Sequence, residues 1–76
     1  MRAVEVGAVY RHFKGHIVKV IAVARDAEDI DNYFVIYVHV DHKTVWSRPY
    51  DVFTSEVDHE KYPEVTQKYR FEKLEG

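Results

Sequence analysis

Seventy-six residues without a cysteine leave room for one domain, residues 1–76, and exclude both a disulfide framework and a thiolate zinc site. At 46% hydrophobic and 14% aromatic residues the chain is too apolar to be disordered. A formal charge of −2 excludes a global positive field for nucleic acid. No segment approaches the ~20 apolar residues of a membrane span, and no apolar run of signal-peptide length opens the chain, so a cytoplasmic protein without a membrane partner is expected. The charge is unevenly spread. Five cations (Arg2, Arg11, Lys14, Lys19 and Arg25) face one acid, Glu5, in residues 1–25, and four acids follow within Asp26–Asp31.

The alternation of side chains predicts a first strand over Val6–His12 and a turn at Lys14-Gly15, where glycine supplies a positive φ. His16–Arg25 is dense in Val and Ile and apolar on both sides around Val20–Val23. In so small a protein this predicts a bent strand, each half burying a different side. Asp26–Asn32 is an acidic loop. Asn32–Asp41 alternates cleanly, and hydrophobicity places Phe34, Ile36, Val38 and Val40 in the core, with Tyr33, Val35, Tyr37 and His39 opposite. Asp41–Thr44 is a hairpin turn, and Thr44–Arg48 the returning strand, ended or put at an edge by Pro49. Tyr50–Phe53 fits one helical turn, and Thr54–Val57 a further short strand. Pro63 suits the start of a helical turn through Gln67. Tyr69–Leu74 alternates rings with charges and closes the chain as an edge strand. The fold class expected is all-β: a small, partly open, five-stranded SH3-like barrel with one short helical turn.

Two stretches interleave aromatic rings with cations: Tyr10-Arg11-His12-Phe13-Lys14-Gly15 and Trp46-Ser47-Arg48-Pro49. Rings and guanidinium groups stack on planar ligands, and Arg and Lys hold anions. One reading makes Trp46 and Phe13 core residues, with Arg48 covering the indole edge and paired to Asp51 or Glu56. The other lines a shallow groove with Tyr10, Arg11, His12, Lys14, Trp46 and Arg48 as ligand-binding residues. Its occupant would be a protein or peptide partner or, alternatively, a nucleotide or short single-stranded nucleic acid, with Trp46 stacking and Arg11 and Arg48 on phosphate.

His12 and His16 are four apart, but the turn between them removes the helical metal-ligand geometry, and across a hairpin the two rings still approach without an evident third ligand. His39 and His42 flank a turn and read as solvent-facing. Ser47 and Ser55 lie in no nucleophile-elbow context, and three glycines make no phosphate loop. No catalytic residue, metal or cofactor is expected, and an enzyme with a His-based site stands as the third reading. The small size and the apolar residues on both sides of the second and third strands leave room for a homodimer.

At these residues the chain resembles the small bacterial family catalogued as domain of unknown function 1653, whose hallmark is a Tyr-Arg-His-Phe-Lys-Gly start. The resemblance covers about residues 7–74. It runs through Gly7, Tyr10–Gly15, Val20, Val23-Ala24, Glu28, Val35 and Tyr37 to Trp46, Arg48-Pro49, Phe53 and Arg70-Phe71. Arg25-Asp26-Ala27-Glu28 stands where the family usually carries a His-Ser-Glu-Thr-like segment, and the Val57–Tyr69 segment is longer than the short turn expected there. The resemblance implies a compact SH3-like β fold in bacteria or their phages. It implies no activity.

Overall fold

The computed structural model describes residues 3–74. Five strands follow in chain order: β1 Val9–His12, β2 Ile17–Arg25, β3 Tyr33–His39, β4 Val45–Pro49 and β5 Phe71–Lys73, with one helical turn, α1 Tyr50–Phe53, between β4 and β5. They form one antiparallel sheet in the order β4-β3-β2-β1-β5. The all-β class, with five strands and one helical turn after Pro49, is the fold class expected, without the additional short strand and helical turn read at Thr54–Val57 and Pro63–Gln67. β4 and β5 are the two edges, so the sheet is open and is not closed into a barrel.

Local chemistry explains the joints. Gly15 sits at φ +97°, where an L side chain is strained, and its N–H closes the β1–β2 turn on the His12 carbonyl at 2.8 Å. In β2, Val20 opposes Tyr37 and Ala22 opposes Ile36, so Ile21 is the extra residue of a β-bulge. The bulge switches the strand's parity: Val18 and Val20 share a sheet face with Val23, which opposes Val35. Ile21 and Val23 nevertheless stay exposed, so beyond the bulge the strand half-buries only Ala22 and Ala24, less than the burial of both sides expected. Asp26 accepts the Glu28 N–H at 2.8 Å and the Asn32 side chain at 3.1 Å, so part of the acidic loop serves its own backbone. These hydrogen bonds, first the one from the Glu28 N–H, hold the Asp26 carboxyl below its ordinary pKa.

The core lies on one sheet face and is aromatic at its centre. Tyr10, Val18, Val20, Val35, Tyr37, Phe53 and Phe71 form a buried cluster, with Val4, Ala8 and Tyr50 packed against it. Phe53 and Phe71 stack face to face at 4.1 Å, and Tyr10 meets Phe53 edge-on at 5.4 Å. The expected core face of β3 is therefore corrected. Val35 and Tyr37 are buried, whereas Phe34, Ile36 and Val38 are half-buried on the outer face and Val40 is exposed. The cause is tertiary: α1 and β5 bring Phe53 and Phe71 over the side that carries Tyr37, whose ring lies 5.7 and 5.6 Å from theirs.

Two further expectations between α1 and β5 are corrected. Thr54–Val57 contributes only one bridge, Glu56 to Tyr69, and no strand. Residues 63–67 form no helical turn. Pro63 occupies the second position of a turn closed by the Val65 N–H on the Tyr62 carbonyl at 3.1 Å. Gln67 then pins the segment to the sheet by donating to the Arg11 and Tyr69 carbonyls at 3.0 and 2.9 Å. No helix among the described residues is long and apolar enough to cross a membrane.

Candidate ligand-binding face

The two ring-and-cation stretches lie on β1 with its turn and on β4, strands separated by β2 and β3. Alternation along β1 sends Tyr10 and His12 to the core face and Arg11 to the other. Tyr10 is 3% exposed, and its hydroxyl accepts the Glu5 N–H at 3.0 Å, so it is a core residue. Arg11 is exposed on the outer face, bordering a depression with Gln67 and Glu72. Lys14 sits in the turn, its ammonium 5.6 Å from the Tyr62 ring and 5.9 Å from that of Phe13. Three of the six expected residues do converge: His12, Trp46 and Arg48.

Trp46 opposes Tyr37 across the β3–β4 ladder, yet it lies beyond the aromatic core and is 51% exposed. Its indole N–H donates to Thr44 Oγ1 at 2.7 Å, which fixes the ring on the sheet surface. The reading of Trp46 as core is thus corrected. Phe13 is half-buried, packed 5.0 Å from Tyr62. Arg48 shares the Trp46 face, two residues along. Its Nε donates to Tyr37 Oη at 3.2 Å, and its guanidinium lies 5.3 Å from the Phe71 ring centre. Among the described residues it forms no ion pair with Asp51 or Glu56; the salt bridge present is Lys73 with Glu5.

The register adds residues that sequence reading had set aside. Val18 opposes His39, so His39 falls on the same face as Tyr37 and Val18 rather than in solvent. Its ring is 5.4 Å from His16 and 5.7 Å from Trp46, while His16 stands 6.1 Å from His12. The signal for His39 was already present, because it shares the parity of Val35 and Tyr37. It was masked by placing that side of β3 outside. Together His12, His16, Tyr37, His39 and Arg48, over Val18 and Phe71, line a recess of about 70 Å³.

This recess is electropositive. His12, 8% exposed, has its pKa pushed down to about 4, first by burial and then by Arg48, His16, Arg70 and Lys14. Its Nδ1 accepts the Lys14 N–H at 3.1 Å, which places the proton of the neutral ring on Nε2. His39 is held below the ordinary imidazole range by burial, His16, His42 and Arg48, with Asp41 opposing. Among the described residues no carboxylate lines the recess. Among the described residues no group of three or more His, Asp or Glu side chains is arranged to hold a metal ion. A wider depression of about 510 Å³ is bordered by Val23, Asp31, Asn32, Tyr33, Tyr50 and Asp51. It contains none of the expected site residues and no cation.

No curated protein and no solved structure matches the chain. The family model described as a protein of unknown function, DUF1653, matches residues 8–73, and the chain belongs to that family.

Proposed function

We propose that the chain is a non-enzymatic, cytoplasmic binding module that takes a protein or peptide segment on the face formed by Trp46, Arg48 and the neighbouring histidines. The observation that carries this reading is the half-exposed indole of Trp46, fixed by Thr44 and flanked by His39. A domain this small gains most from aromatic rings it buries, so an immobilised ring left at the surface supports a role in contact with a partner. The exposed backbone of edge strand β4 lies alongside and could extend the contact by strand addition. The scattering of Arg11, Lys14 and Arg48 over different parts of the surface favours a peptide over a nucleic-acid strand, which would need its phosphate contacts aligned.

Trp46 is the sole tryptophan, so its fluorescence reports on this face alone. Peptides selected from a random displayed library are expected to shift its emission and to bind Trp46→Ala at least about tenfold more weakly. Equal binding to Trp46→Ala would remove the reading. Single-stranded oligonucleotides that bind with an affinity falling steeply with salt would replace it with the nucleic-acid alternative.

A further inference from the structure

We infer that the recess beside Trp46 is an oxyanion site, in which Arg48 with His16 and His39 holds one carboxylate of the bound peptide, its terminal group or an acidic side chain. The inference rests on the peptide-binding reading of this face and names the chemistry its ligand must carry.

Four observations converge. First, Arg48 is held from behind: its Nε donates to Tyr37 Oη at 3.2 Å and its guanidinium carbon lies 5.3 Å from the Phe71 ring centre. A guanidinium held through Nε keeps its two Nη groups for end-on, two-point contact with a carboxylate. Second, among the described residues this half-buried cation forms no ion pair and no acid lines the recess, which leaves the charge open to a ligand.

Third, the imidazoles of His16 and His39 stand 5.4 Å apart beside Arg48, and a neutral imidazole donates one N–H. Charge-assisted hydrogen bonds from such a set are roughly twice as strong as neutral ones. Fourth, the recess measures about 70 Å³, room for a few water molecules. That admits a carboxylate. The rest of the ligand extends outward, to where the Trp46 indole lies 5.7 Å from His39.

The test uses small probes on the intact chain, so it does not depend on any peptide having been found. N-acetyl-leucine and N-acetyl-leucinamide differ only in the carboxylate. Followed by ¹H–¹⁵N NMR at pH 7 and constant ionic strength in chloride, the acid is expected to give saturable shifts at Tyr37, His39, Trp46 and Arg48. The amide should bind at least about tenfold more weakly. Arg48→Lys, which keeps the charge and loses the fork, should weaken the acid about tenfold, with spectral dispersion confirming the fold. His39→Gln, at the rim and away from the Phe53–Phe71 stack, should weaken it about threefold. Equal shifts from acid and amide, or unchanged binding to both variants, would overturn the inference. Saturable binding of inorganic phosphate but not of the acid would overturn the carboxylate assignment. The two readings fail separately: library peptides that bind through Trp46 without a carboxylate refute the oxyanion site alone, and acid binding without any peptide refutes the peptide reading alone.

Discussion

Single residues on the core face divide by depth, and the division can be measured. Trp46 is half exposed and leaves no sealed cavity when truncated, so Trp46→Ala should cost about 1–2 kcal/mol in urea denaturation. Phe53 is fully buried, stacked on Phe71 and touched by Tyr10 and Tyr37, so Phe53→Ala should cost about 3–5 kcal/mol by the same measurement. His12 makes stability depend on acid. Its folded pKa of about 4 lies below the ordinary 6.5, so its neutral form is the one the fold accepts. Above pH 6.5 the ring is neutral in both states and the contribution is complete. As pH falls from 6.5 to about 4 the unfolded ring takes a proton that the folded ring refuses, and stability drops by about 2–3 kcal/mol. His12→Asn keeps an acceptor for the Lys14 N–H and removes the titration. Thermal melts of the variant should show a flatter decline between pH 6.5 and 4 than the parent.

At the level of elements, turn chemistry and strand pattern were legible, and handedness of burial was not. The β1–β2 turn follows from Gly15 alone. Gly15→Ala meets no atom within 4 Å of the added Cβ, so its cost is the backbone strain at φ +97°. About 1–2 kcal/mol is expected, seen as a lowered urea midpoint with unchanged slope. The ends of β4 and α1 are equally local. Pro49 is the last residue of the edge strand, and the helical turn begins at Tyr50. For β3, the period of two identified the sets Phe34–Ile36–Val38 and Val35–Tyr37–His39 correctly and could not say which faces inward. Hydrophobicity favoured the first set. The second won because Tyr37 packs its ring against Phe53 and Phe71 while its hydroxyl accepts from Arg48 Nε at the recess. The Thr54–Gln67 segment was misread for a related reason: side-chain bonds from Asp58 and Gln67 to backbone groups replace the regular ladders its residues would otherwise form.

For the whole molecule, the open sheet sets what the domain exposes. One face carries the aromatic core and, beyond its edge, the electropositive recess. The other presents Val45 in the open and half-buried Phe34, Ile36 and Val38. The candidate site was half visible in the chain, since His12, Trp46 and Arg48 stand in conspicuous ring-and-cation runs. Its other half, His16, Tyr37 and His39, depends on which strands are neighbours. Tyr10, Arg11 and Lys14 were drawn in by adjacency along the chain and are dispersed by strand alternation and the turn.

The sequence by itself determined the all-β class, the five strands, the position of the first turn and the helical turn after Pro49, because each depends on residues within a few positions of one another. It also determined the absence of covalent staples, which follows from composition. Only the tertiary structure decided which side of β3 is buried, that Trp46 stands at the surface, and that an arginine and three histidines from β1, the turn before β2, β3 and β4 meet around one small recess. Those outcomes depend on contacts tens of residues apart, where the placement of Phe53 and Phe71 over Tyr37 outweighs the hydrophobicity of any single position.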